Sequence, residues 1–223
     1  MIEFNNVSHG YGGRRILEHL SLAIQPGSFH FLTGPSGAGK STFLKLCYGD
    51  LVPDYGRINR FGQSHDVMSR DDIAHMRGRI GVVHQDCRFV DHLSLAENVA
   101  LPLTVTGRTA DPVEMSELLA WVGLIEQQNN LPPSLSGGER QRAALARAVI
   151  MSPDILLADE PTGNLDWEMS LRLLTLFAEM NRMGKTIVIA THDLNLIRAA
   201  KSQVAARILR LKGGQLTLAG AEL

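Results

Sequence analysis

Apolar residues along the chain fall into short runs separated by longer segments with helical spacing. "SFHFLT" (28–33), "RIGVVHQ" (79–85), "DILLAD" (154–159) and "KTIVIATH" (185–192) have the length and content of buried strands. Their alternation with helical sequence predicts an α/β fold with a mainly parallel sheet. Two early extended stretches, "IEFNNVSH" and "GRINRFGQ", and a terminal pair split by "KGG" at 212–214 predict antiparallel additions. Between Asp86 and Ile150 no strand signature occurs, whereas "LSLAENVALPL" and "PVEMSELLAWVGL" carry helical apolar spacing. One domain over residues 1–223 is expected, with core and antiparallel parts in 1–85 and 151–223 and an inserted helical subdomain at about 86–150.

Composition narrows the field. A chain of 223 residues with 44% hydrophobic content can bury one good core. Lys and Arg total 22 against 23 for Asp and Glu, a formal charge of -1 that supplies none of the long-range field of non-specific nucleic-acid binding, and no nucleic-acid partner is expected. Cys47 and Cys87 fit no metal or redox spacing and read as reduced intracellular thiols. The start "MIEFNNVSHGYGG" has neither a basic head nor an apolar core, and no apolar run approaches the roughly 20 residues that span a bilayer. The expectation is a cytosolic protein, held at a membrane only through another chain.

"GPSGAGKS" at 34–41 fits G-x-x-x-x-G-K-[ST], and it follows a strand and opens a helix, as the motif requires. Gly34, Pro35, Ser36, Gly37, Ala38, Gly39, Lys40, Ser41 and Thr42 form the candidate phosphate cradle. Its glycines let backbone N–H groups approach phosphate oxygens, Lys40 reaches the terminal phosphates, and the Ser41 hydroxyl can ligate Mg²⁺. Hydrolysis needs a second carboxylate and a group to orient water. "ILLADEP" offers Asp159 for the metal and Glu160 as general base; adjacent carboxylates at a strand end are expected to point to opposite faces. Gln85 and His192 stand at the ends of two further apolar strands, where open sheets place ligand chemistry, though either position also suits a structural polar cap.

A second glycine pair lies in "LSGGERQRAALARAV". Ser136 and Glu139 form a capping box, and the alanines at 143, 144, 146 and 148 suit tight packing, so a plain well-capped helix explains much of the segment. Yet Gly137 and Gly138 in the first turn each cost about 1 kcal/mol relative to alanine. Bare N–H groups offered to an anion at a positive helix end are the alternative use.

The order "GPSGAGKST", "HQD", "LSGGERQR", "ILLADEP", "NLD", "THD" resembles, over essentially the whole chain, the nucleotide-binding domain of ATP-binding cassette proteins. The resemblance implies an ATPase using ATP and Mg²⁺, working as a head-to-tail homodimer in which Ser136, Gly137 and Gly138 of one copy cap the ATP of the other. It also implies that Tyr11 stacks on adenine, although a tyrosine beside glycines also suits a turn. Gln85 would contact Mg²⁺ or water, Asp166 would link the two sites, and His192 would be the switch histidine at the γ-phosphate. His84 departs from the phenylalanine usual before the glutamine, at a position expected to pack.

Within the family, "EPTGNLD" resembles the group serving lipoprotein release, macrolide export and cell division, whose membrane partners transmit force to the periplasm. "FLKLCYGDLVPDYGRINRFGQ" and "RIGVVHQDCRFVDHLSLAENVALPLTVTG" look most like its cell-division branch. That resemblance implies an integral membrane partner, a periplasmic peptidoglycan hydrolase or its activator downstream, and residence on the cytoplasmic face of the bacterial inner membrane. Phe89, Val90, Leu93 and Leu95 are candidates for receiving a partner helix, or else belong to the core of the helical lobe. An ordinary transporter ATPase would share every catalytic residue.

Overall fold

The computed structural model describes residues 1–163 and 165–219. Two sheets organise the chain. A six-stranded sheet has the order β10-β9-β3-β8-β7-β6, built from β3 (Phe29–Thr33), β6 (Ile80–Val83), β7 (Ile155–Asp159), β8 (Thr186–Ala190), β9 (Ala206–Lys212) and β10 (Gln215–Ala219). Every pair in it is parallel except β9 with β10. The terminal hairpin is therefore only half an antiparallel addition, because β9 pairs in parallel with β3 inside the main sheet. A four-stranded antiparallel sheet, β2-β1-β4-β5, contains β1 (Ile2–Tyr11), β2 (Arg14–Ile24), β4 (Tyr55–Arg60) and β5 (Gln63–Ser64).

Successive residues of the parallel strands enter opposite cores, as the two-residue period of a strand requires. Leu156, Ile187 and Ile189 face one core with Phe29 and Phe31, whereas Ile155, Leu157 and Val188 face the other with Leu32. Both faces are covered, which is why every residue of β3 and β8 is buried. The first core is closed by α3 (Leu95–Val105), α4 (Pro112–Trp121), α5 (Gly137–Val149), α6 (Trp167–Arg182) and α7 (Leu194–Ala200). The second is closed by the antiparallel sheet, α1 (Lys40–Cys47) and Met76 of α2 (Arg70–Gly78). Between β6 and β7 the described residues form helices and turns and no strand. Both cysteines are buried free thiols.

β2 escaped the pattern reading for a physical reason. His19 adopts φ of 52°, which interrupts the pleat, so the buried residues Leu17, Leu20 and Ile24 follow one another at helical spacing within a strand.

Candidate active site

Helix α1 starts immediately after the glycine-rich loop, and its N-terminus is left open. The N-cap is Gly39, which has no side chain to cap with, and the first turn carries no acidic residue. By contrast α2, α3 and α5 are closed by Ser–Asp or Ser–Glu capping boxes. Unsatisfied N–H groups and the positive helix end are thus available to an anion at α1 alone among these four. The loop needs glycine on steric grounds: a Cβ on Gly34 would stand 2.4 Å from the Leu211 carbonyl oxygen, and one on Gly39 2.7 Å from Ile16.

A cavity of about 620 Å³ opens in front of this helix end. Ser36, Gly37, Gly39, Lys40, Ser41 and Thr42 line one wall, Asp159, Glu160 and Gln85 another, and Tyr11, Ile16 and His192 the remainder. Lys40, only 9% exposed, donates from Nζ to the Gly34 carbonyl at 3.0 Å and lies 3.6 Å from Glu160 Oε1. Asp159 accepts a hydrogen bond from Ser41, and burial raises its carboxyl above the usual range, with the Glu160 charge adding in the same direction. A desolvated carboxylate beside a hydroxyl favours a cation between them. Ser41, Gln85 and Asp159 supply oxygen donors only, the set suited to Mg²⁺ shared with substrate phosphates; among the described residues no cluster of three or more His, Cys, Asp or Glu offers a self-sufficient metal site.

Asp159 and Glu160 do not point to opposite sides. Strand β7 ends at Asp159, and Glu160 takes φ of 46°, so the strand alternation fails and both carboxylates line one cavity. The Glu160 N–H donates to the Ala190 carbonyl of β8 at 2.8 Å, fixing the turn. Gln85 and His192 sit two residues beyond the ends of β6 and β8 and not at their last positions. His192 Nδ1 lies 2.9 Å from Glu160 Oε1. His84 is exposed, and its ring packs edge-on against Tyr48 at 5.9 Å.

The second glycine segment is elsewhere. Ser136, Gly137, Gly138 and Asp166 do not line the cavity, nor do Gly34, Pro35 and Ala38 of the loop. Ser136 and Gly137 are exposed, and the Ser136 N–H and hydroxyl both donate to Glu139 Oε2 at 2.8 Å, so a carboxylate of the same chain closes this helix end. Asp166 caps α6 by accepting from the Met169 N–H at 2.8 Å. Asn164 of the "GNLD" stretch lies outside the described residues. Of the four docking candidates, Leu95 is core at 1% exposure, because it begins α3 against β6 and α5. Phe89, Val90 and Leu93 are half-buried, and Arg147 stacks over the Phe89 ring at 4.6 Å. Pattern reading missed Ile16, whose place in the cavity follows from the unrecognised β2.

The family model described as ABC transporter matches residues 17–163. The chain is 44% identical to the cell division ATP-binding protein FtsE of Escherichia coli strain K12, over 97% of each chain. It is 46% identical to that of Haemophilus influenzae, covering 89% of this chain and 93% of the relative. To that of Bacillus subtilis it is 38% identical, over 92% of each. A dimeric post-hydrolysis state of the ATP-binding cassette MJ0796 bound to ADP and Pi superimposes with TM-score 0.86 at 33% identity, covering 97% of this chain and 96% of that one. A second dimeric structure of that bacterial ABC transporter cassette gives TM-score 0.87 at 35% identity with the same coverage.

Proposed function

The chain belongs to the ABC transporter family and is an ATPase of that family, and we propose that it powers a cell-division complex as an FtsE-type subunit. It hydrolyses ATP to ADP and phosphate, with ATP and Mg²⁺ as the bound species. The identity to FtsE over nearly the full length of both chains is the observation that carries the biological reading. In this reading two copies close head to tail around ATP at the cytoplasmic face of the inner membrane. An integral membrane partner resembling FtsX couples the closure to a periplasmic peptidoglycan hydrolase or its activator. No helix among the described residues is long and apolar enough to cross a membrane, so the attachment would run through that partner.

The proposed roles follow from the cavity. The backbone of Gly34 to Thr42 and the Lys40 ammonium hold the phosphates, and Tyr11, 48% exposed, offers a ring face to the base. Ser41, Gln85 and Asp159 would hold Mg²⁺, which when bound neutralises phosphate charge. Lys40 turns from the Gly34 carbonyl to the phosphates, which takes its ammonium away from the Glu160 carboxylate. Glu160 then takes a proton from the attacking water, whose oxygen bonds to the γ-phosphorus as the bond to the β-γ bridging oxygen breaks. The developing charge on that oxygen is met by Lys40 and the loop N–H groups. His192 holds Glu160 through Nδ1 and reaches the γ-phosphate as the dimer closes. Ser136, Gly137 and Gly138 of the second copy complete the site, the phosphate displacing the Glu139 carboxylate from Ser136. Asp166 borders the link between the two sites. The domain division proposed is a core with an antiparallel part at 1–85 and 151–223, and a helical subdomain at about 86–150.

Phe89, Val90 and Leu93 are the proposed docking surface for the membrane partner. The test is copurification from detergent-solubilised membranes with tagged Glu160→Gln protein, ATP and Mg²⁺. An FtsX-like protein in the eluate is the expected result, reduced for Phe89→Glu with ATP binding retained; a multi-span permease in its place would overturn the cell-division reading.

A further inference from the structure

Tyr11 reaches the cavity from the last position of a strand that still pairs with β2 but has already lost β4. The β1–β4 ladder ends with Ser8 opposite Tyr55, and the pairing of β1 with β2 shifts register between Val7 and His9 and again between His9 and Gly10. Beyond Ser8 the edge of β1 facing β4 has no strand to bond to. A side chain takes the place of the missing rung. Asp54 Oδ2 accepts the Gly10 N–H at 2.8 Å, while the Asp54 N–H donates to the Ser8 carbonyl at 3.0 Å. The two bonds bracket His9, whose ring is 7% exposed and lies with Nδ1 3.6 Å from Asp54 Oδ1. Among the described residues neither ring nitrogen of His9 has a hydrogen-bond partner, so the ring is held by packing and by the adjacent carboxylate. It meets the Tyr11 ring edge-on, with centroids 5.1 Å apart and an interplanar angle of 90°. Gly10 permits the arrangement, since a Cβ there would stand 2.4 Å from the Arg14 carbonyl oxygen.

We propose that Asp54 and His9 are positioning residues for nucleotide binding, which fix the Tyr11 ring where the base stacks. The inference rests on the reading of Tyr11 as the base platform. The exposed tyrosine follows strand pairing that has ended on one side and precedes a turn of two left-handed glycines, Gly12 and Gly13. Without the Asp54 clamp the end of β1 frays and the ring loses its fixed orientation; without the His9 ring one side of Tyr11 loses its support. Stacking gains affinity only in proportion to how far the platform is already ordered before the nucleotide arrives. The hydrogen bonds of the clamp are independent of the phosphate cradle, since none is made by a residue of α1 or its preceding loop.

That independence gives the test. Dissociation constants for ATP and for inorganic tripolyphosphate, which has no base, are measured on the full chain together with kcat. Asp54→Ala is expected to weaken ATP about fivefold, the net effect of one ordinary hydrogen bond, with tripolyphosphate affinity unchanged and kcat within about twofold. Asp54→Asn keeps an oxygen acceptor for the Gly10 N–H and is expected to restore ATP affinity. His9→Ala is expected to weaken ATP in the same selective way, and His9→Phe, which keeps an aromatic edge against Tyr11, to restore it; this pair carries the test if Asp54→Ala fails to fold. Equal losses for ATP and tripolyphosphate, or ATP affinity unchanged in Asp54→Ala and His9→Ala while Tyr11→Ala weakens it, would overturn the inference. No effect of Tyr11→Ala itself would instead remove the base-platform reading and the inference with it.

Discussion

The Glu160 carboxylate is bonded to His192, with Oε1 and Nδ1 2.9 Å apart and the His192 backbone N–H 3.4 Å from Oε2. The two residues come from different strand ends, and the left-handed turn at Glu160 brings its carboxylate to the histidine and to Lys40 at once. Glu160 is 13% exposed at its side chain and His192 74%, so the histidine faces the open side of the cavity while the carboxylate is enclosed.

Replacing Glu160 by glutamine keeps the shape and removes the base. ATP binding is expected to persist, with phosphate release slowed on the order of a hundredfold or more. Turnover at the wild-type rate in a single-turnover assay would show that another group takes the proton.

Lys40→Ala removes a cation that is nearly buried and whose replacement for the Gly34 carbonyl is phosphate. The Kd for ATP, measured by equilibrium dialysis, is expected to rise about tenfold or more. Unchanged affinity would contradict the cradle assignment.

Stability should depend on pH through His30. Burial foremost, and then the positive charge of Arg207, lower its pKa from 6.5 to about 4. Between those values the unfolded chain binds a proton that the folded chain does not, so stability falls as pH drops from about 6.5 towards 4. The loss is on the order of 3 kcal/mol once both limits are passed. Urea midpoints recorded against pH should show this slope, and His30→Gln should flatten it.

Gly81 lies where β6 meets α5. A Cβ there would stand 2.3 Å from the Ala148 carbonyl oxygen and 2.9 Å from Leu156 Cδ1. Gly81→Ala must push a helix backbone away from the sheet and is expected to cost about 3 kcal/mol in denaturant titration.

Residue spacing made much of the site legible. Most of the phosphate loop, with Gln85, Asp159, Glu160 and His192, are motif positions that line the cavity, because strand ends of a parallel sheet converge on one edge. The buried runs of β3, β7 and β8 were equally plain, since both faces of those strands are covered. What spacing could not convey was backbone that leaves the regular period. The positive φ at His19 disguised β2, and the positive φ at Glu160 turned a carboxylate expected to face away from Asp159 into the same cavity. Leu95 looked available for docking because an apolar residue at a helix start gives no sign of which side is covered; it is core. Asp54, in a turn that reads only as punctuation, gains its neighbours from β1, 44 residues away from Gly10.

The most direct measurement is the mass of Glu160→Gln protein by light scattering during size exclusion, with and without ATP and Mg²⁺. A dimer with ATP and a monomer without it are expected. In the same background Gly138→Asp sets a negative charge where the second copy's γ-phosphate would sit, and it should return the protein to a monomer that still binds ATP. A chain that saturates with ATP yet stays monomeric, or a dimer indifferent to Gly138→Asp, would contradict a site shared between two copies.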